Sequence, residues 1–457
     1  MTNSELFLKD NVTPGAQIAS GQTPAARDFA LDRIRLLAAS LVVLTHTSAQ
    51  WLDRVCANSG AALLFTQLCS IVSFAGVSLF VMLSGALFLS PSHREKSCSV
   101  RRMCRRSLHF LLLYFLWKIF YLLEDGLLYP EILKSKGIKD GLILAFFRLP
   151  GKYHLWYLPM LCVLLLIVPL LYEGAQHRTA CFLYLGLSFL CAVFLPTAFL
   201  FDFPFKYLLM DFRDLFDLNY FLGYLGYFLL GHVLYECCRS DASVPEQIRP
   251  IRAHSHTLHE QVQSSDSPSS VTVQAEGLVE KTEKGILTAA LWGLALVTLL
   301  PSVCTASARS AGQTQADTSF ASPFSLAVCL LSAAIFLTIC RNRSAAGKHG
   351  WAGSSVISNK SSCPSAQAIN SVDPTDSSLL QNSEKKGRQL LPAFSRASFG
   401  VYLLHPFVLD LITKSGVLVQ IPNPFVGIPI LLAVLLILSF AASLLMNRIS
   451  ILRRLVS

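Results

Sequence analysis

The chain has 457 residues, of which 53% are hydrophobic and only 14% charged, and it carries a formal net charge of +10. Soluble domains run near 25% charged, so this balance excludes an ordinary water-soluble globular protein. The basic residues sit between long apolar runs, which reads as a membrane topology signal and excludes a nucleic-acid-binding face.

Crossing a bilayer core takes about 20 apolar residues. Ten runs qualify: 31–51, 65–89, 107–125, 155–172, 180–200, 219–236, 285–303, 320–340, 396–414 and 426–446. They are continuous and do not alternate, which excludes a membrane barrel. The expected fold is therefore all-α, a polytopic bundle of about ten transmembrane helices with both termini cytoplasmic. Residues 1–30 form a polar cytoplasmic tail, and the first span is expected to act as an uncleaved membrane signal. The 13 Cys are scattered, several within apolar runs, with the spacing of neither a metal site nor a disulfide framework.

The first span, RLLAASLVVLTHTSAQW, holds Arg35 and His46 eleven residues apart. That is about 16 Å along a helix and close to three turns, so both side chains share a face. A histidine at that depth is costly and faces a bundle interior or a wet cavity. It is either a general base or an interior histidine satisfied by Thr45 or Thr47. The second span, FAGVSLFVMLSGALF, carries small residues suited to helix packing.

Between spans two and three lie His93, Arg94, Lys96, Arg101, Arg102, Arg105 and Arg106 against Glu95 alone. This cluster puts the linker in the cytoplasm, and Arg341, Arg343, Arg448, Arg453 and Arg454 agree with that orientation. The arginines of 101–106 either bind phosphate-bearing groups or act only as topology determinants. Span four opens with YHLWYLP, an interfacial aromatic belt whose Trp156 and Tyr157 also suit sugar stacking. The stretch DFRDLFDLN at 211–219 is an outer loop able to meet a polar acceptor. Three glycines interrupt span six, which reads as short or re-entrant.

Residues 31–236 thus form a membrane core of spans 1–6, followed by spans 7–8 within 285–340 and spans 9–10 within 396–446. The linkers 239–284 and 341–395 are polar, nearly free of aromatics and expected to be disordered cytoplasmic tethers. Residues 447–457 make a basic cytoplasmic tail. In span nine, SFGVYLLHPFVLDLI, His405 precedes Pro406, with Asp410 five residues on. The proline frees a backbone carbonyl, and such breaks often line cavities.

The first span, with LFVMLSGALFL (79–89), the arginine-rich start of span three, HLWYLPMLCVLLLIVPLL (154–171) and FGVYLLHPFVL (399–409), resembles the membrane-bound acyltransferase-3 family. Its signature is an arginine, ten intervening residues and a histidine, which fits Arg35 and His46. The resemblance implies an integral-membrane O-acyltransferase that moves an acyl group, usually acetyl, from cytoplasmic acetyl-CoA to a hydroxyl of an outer glycan or lipid-linked sugar. On it, His46 and Arg35 are catalytic, Arg102, Arg105 and Arg106 meet the donor's phosphates, and Trp156, Tyr157 and His405 line the cavity. Acyl-CoA, the sugar acceptor and membrane lipids are then the partners, in the plasma membrane, without nucleic acid or metal. One departure is that RRSLHFLLLYF lacks the proline that family members often show there. Buried histidines and broken spans also suit a secondary transporter or flippase, which stays open as the alternative.

Overall fold

The computed structural model describes residues 28–57, 60–91, 94–128, 152–216, 218–239, 270–342, 375–416, 421–449, 452, 453 and 455. The N-terminal tail to residue 27, the outer stretch 129–151, and 240–269 and 343–374 of the two linkers lie outside the described residues. So do the side chains of Arg213, Asp214 and Asp217.

Every regular element among the described residues is helical. Besides short pieces such as Arg94–Ser97, they are α1 Phe29–Leu52, α2 Ala61–Ser73, α3 Ala75–Phe88, α4 Val100–Leu128, α5 Tyr157–Gln176 and α6 Arg178–Ser188. These are followed by α7 Lys206–Phe216, α8 Leu218–Arg239, α9 Ser270–Ser310, α10 Leu326–Arg341, α11 Thr375–Lys414 and α12 Pro424–Arg448. The fold is an all-α bundle. Six stretches are long and apolar enough to cross a bilayer: Ala61–Phe88, Val100–Asp125, Tyr157–Gln176, Arg178–Ala198, Gly285–Ser310 and Pro424–Arg448. Long apolar helices of this kind fit a polytopic membrane protein, since only helices and closed barrels satisfy their own backbone in lipid.

The other four apolar runs also fall in helices, for reasons their residues show. The second half of α1 carries Thr45, His46, Thr47, Ser48 and Gln50, which lower its hydropathy. α10 has 16 residues, about 24 Å at 1.5 Å per residue, short of a ~30 Å core. α8 is one unbroken helix of 22 residues. Its glycines do not interrupt it but allow close approach: a Cβ on Gly231 would strike the Met82 backbone and one on Gly85 of α3 the Phe228 backbone, while Gly223 and Gly226 face the Phe324 and Ser188 side chains. α3 and α8 therefore cross at small-residue contacts, the usual device of membrane helices.

Three spans depart from simple rods. Phe74 breaks the second run into α2 and α3. The fifth run passes through a π-helical segment, Phe189–Phe194, before Leu195–Ala198. α11 holds both Pro392 and Pro406 inside it. α9 and α11 also begin at Ser270 and Thr375, inside the two polar linkers.

α1 starts where the side chain of Asp28 accepts from the Ala30 amide at 3.0 Å, an N-cap that satisfies one free helix donor. α1 packs on α2, α3, α11 and α12, while α4 pairs with α5, α9 with α10 and α11 with α12. An apolar core runs from Ile34 and Ala38 through Met82, Phe228 and Leu403, with buried polar groups such as Asp32, Glu124, His154 and His405 set among it. α1 packs against several of the other helices, and of its ionisable side chains Asp32 is buried and Arg35 and His46 are half-buried against neighbours, while Arg33 is exposed.

Candidate active site

α1 and α11 run side by side in the same direction. Near the start of α1 and the middle of α11, the Arg35 guanidinium donates to Ser395 Oγ at 3.0 Å, and Ser395 donates in turn to Asp32 Oδ1 at 2.6 Å. Arg35 also pairs with Asp32 at 3.6 Å. Three turns further on, the His46 ring lies against the His405 ring, with centroids 5.2 Å apart and planes inclined by 25°. The spacing of Arg35 and His46 on α1 is thus matched by that of Ser395 and His405 on α11, and both signature residues meet one partner helix.

His46 also contacts Tyr153, with centroids 4.4 Å apart. Its neighbours Thr45 and Thr47 donate their hydroxyls to the Leu41 and Val43 carbonyls at 3.2 and 2.8 Å. They are therefore engaged by their own helix. Among the described residues, no hydrogen bond reaches the half-buried His46 imidazole, and so the satisfied-histidine alternative lacks its partner.

His405 is fully buried. Its Nδ1 lies 3.1 Å from the Val401 carbonyl. A carbonyl only accepts, so Nδ1 carries the proton and Nε2 the lone pair. That Nε2 has no hydrogen-bond partner among the described residues. His154, also buried, closes the group edge-on to His405 with centroids 5.5 Å apart, and Tyr402 donates its hydroxyl to the His154 carbonyl. Tyr157 is nearly buried beside Phe80 and Tyr402, whereas Trp156 is exposed and packs on Tyr224.

One charged cluster beside this group was not legible in the sequence. Lys152 Nζ sits 2.5 Å from Asp410, 2.8 Å from Asp125 and 3.5 Å from Glu124. Burial alone would lower the Lys152 ammonium, but its hydrogen bonds to Asp125 and Asp410 hold it above the usual lysine value. Burial, with Asp410 and Glu124 nearby, raises the Tyr153 phenol well above its ordinary value. The three carboxylates lie within 4.8 Å of one another, a geometry open to a metal ion, but the lysine ammonium supplies the cation there. The cluster ties the last turns of α4 and of α11 to the turn that delivers Tyr153 and His154. A lone lysine before an aromatic run, and Glu124–Asp125 ending an apolar one, were the available signals.

The basic residues stand apart. Arg102 and Arg105 are exposed on the first turns of α4, and the Arg106 guanidinium lies 5.3 Å above the Phe88 ring. Arg106 and Glu124 are eighteen residues apart on α4, about 27 Å along its axis. The arginines and the Lys152 cluster therefore occupy opposite ends of the bundle.

An imidazole that takes no hydrogen bond among the described residues, an arginine three turns away on the same face, and a basic patch at the far end suit transfer between a long anionic donor and an acceptor at the other end. Neither a curated protein nor a solved structure matches the chain. Residues 28–446 match the acyltransferase domain of the acyltransferase-3 family. The chain therefore belongs to that family of acyltransferases acting at membranes.

Proposed function

We propose that this protein transfers an acetyl group from acetyl-CoA, met at the cytoplasmic face, to a hydroxyl of a glycan or lipid-linked sugar at the outer face. The observation that carries the reading is His46: an imidazole in contact with Tyr153 and His405, without a hydrogen-bond partner among the described residues. Its lone-pair nitrogen accepts the acceptor's hydroxyl proton. The hydroxyl oxygen bonds to the thioester carbonyl carbon as the carbon–sulfur bond breaks, and the proton passes to the departing thiolate. Ester and thiol are the products, and the step needs no redox partner.

Arg35 acts with His46, oriented by Ser395 and Asp32. Arg102 and Arg105 make no ion pair among the described residues, so their forks are available to phosphate oxygens beside Arg106. Trp156, Tyr157 and His405 line the acceptor side. Ten spans, cytoplasmic termini, a plasma-membrane location and two cytoplasmic tethers at 239–284 and 341–395 complete the reading.

The test is CoA release from acetyl-CoA by the purified chain in detergent, with a panel of glycan acceptors, for wild type and His46→Ala. Turnover by wild type, and none by a folded variant that still binds acetyl-CoA, supports the reading. A folded wild type that neither turns over nor binds acetyl-CoA overturns it and brings transport or flipping to the front.

A further inference from the structure

At the end of the bundle that holds the arginines, α5 stops at Gln176 and α6 restarts at Arg178, with His177 extended between them. A cavity of about 210 Å³ opens at this corner. Ala175, Gln176, Arg178 and Phe182 line one side of it, and His232 and Glu236 of α8 the other.

Three features of its walls point to one ligand chemistry. The first bond of α6 runs from the Cys181 amide to the His177 carbonyl at 3.0 Å, and no side chain caps the helix. The amides of Arg178, Thr179 and Ala180 therefore lack intrahelical acceptors and favour an anion. Arg178 is exposed and makes no ion pair among the described residues, which adds a planar fork of donors. Independently of both, His232 is 4% exposed and its Nε2 lies 3.2 Å from the Ala175 carbonyl. The carbonyl only accepts, so Nε2 carries the proton and Nδ1 the lone pair. That buried Nδ1 has no partner among the described residues, and buried polar atoms in folded proteins are rarely left so. The one carboxylate of the lining, Glu236, accepts from Ser90 at 3.1 Å and lies 3.7 Å from the Arg239 guanidinium, which offsets its charge.

We propose that this corner binds a phosphate ester, its phosphate held by the α6 amides and Arg178 while an adjacent hydroxyl or amine donates to His232 Nδ1. The volume suits a headgroup-sized piece, since whole-ligand pockets start at about 300 Å³. The site adjoins the basic patch: Gln176 donates to the Leu89 carbonyl at 3.1 Å, and Arg106 covers the ring of Phe88. Two sources share this chemistry, the nucleotide end of the acyl donor and a phospholipid headgroup. The first of these rests on the acetyl-CoA reading above, and the second does not.

The test uses the full chain with two arms. CoA is titrated into protein in phosphatidylcholine nanodiscs, and retention of phosphatidylglycerol is followed by native mass spectrometry in detergent. Each arm compares wild type, Arg178→Glu, Arg178→Lys, His232→Ala and the distant control Arg448→Glu, with melting temperatures to establish folding. Arg178→Glu is expected to weaken one ligand by about tenfold or more, the loss of a charge-assisted contact, with partial rescue by Arg178→Lys and no effect of Arg448→Glu. His232→Ala, which removes no surface charge, should weaken the same ligand. A loss confined to CoA assigns the nucleotide end, and a loss confined to phosphatidylglycerol assigns a lipid headgroup. If wild type binds no CoA yet retains phosphatidylglycerol through Arg178, the donor reading fails and the site stands. A folded Arg178→Glu protein that binds both as wild type does, or a wild type that binds neither, overturns the proposal.

Discussion

The imidazole of His46 lies against that of His405, rings 5.2 Å apart, though the two come from opposite ends of the chain. His405 gives His46 two things, a flat face and an unpartnered Nε2. Replacing His405 separates them. His405→Ala should lower melting temperature and turnover together, since it leaves a void in a fully buried position. His405→Phe restores the ring face and should recover stability more than turnover. Melting curves and kcat on the two proteins check this, and equal recovery of both would leave Nε2 without a role.

Lys152 should reveal itself through the charges it leaves behind. Glu124 and Asp410 are 4% and 17% exposed at their side chains, and stripping a buried charge of its partner costs about 3–5 kcal/mol. Lys152→Met should therefore destabilise strongly. Lys152→Met with Asp410→Leu and Glu124→Gln should recover much of the loss, because burying no charge is often as stable as burying a pair. The more exposed Asp125 should contribute little. Denaturant melts of the single and triple variants in detergent measure the difference.

The same cluster makes a statement about pH. Lys152 is held above the ordinary lysine value by Asp125 and Asp410 against the lowering effect of burial. A group raised on folding stabilises fully below its unfolded value, about 10.4, and loses that contribution as pH climbs through the folded value. The melting-temperature gap between wild type and Lys152→Met should then stay level between about pH 8 and 10 and narrow only above. A gap that closes already near pH 9 would contradict the raised value.

Gly85 and Gly231 mark the crossing of α3 and α8. A methyl group at either meets backbone and not a movable side chain, so the helices must part. Gly85→Ala and Gly231→Ala should each cost about 1–3 kcal/mol or more. Gly293→Ala, with nothing within 4 Å, should be neutral to mildly stabilising. Thermal melts of the three proteins side by side decide it.

The sequence made the helices legible wherever a run of apolar residues was long enough to be nothing else in a membrane. Arg35, His46 and His405 were legible as costly polar residues within such runs. What it could not supply was which helix meets which. That α11 lies along α1 in register depends on packing between faces far apart in the chain, and so does the union of Lys152 with acids from two other helices. The glycines of α8 looked like breaks because a close approach and a bend use the same residue. His232 was unremarkable in sequence, since only the folded corner shows that one of its nitrogens is left over.

The pairing of α1 with α11 also has a consequence for how the protein comes into being. Ribosomes make the chain from its first helix, and the residue opposite His46 arrives only at position 405. A chain that has emerged through α10 contains Arg106 and Phe88, which touch in the folded protein, yet it lacks the second imidazole and the Asp410 that pairs with Lys152. Biosynthesis thus delivers His46 with the first helix and its stacking partner His405 only with the eleventh. A polypeptide stopping before α11 would hold His46 without the ring that packs on it and Lys152 without Asp410.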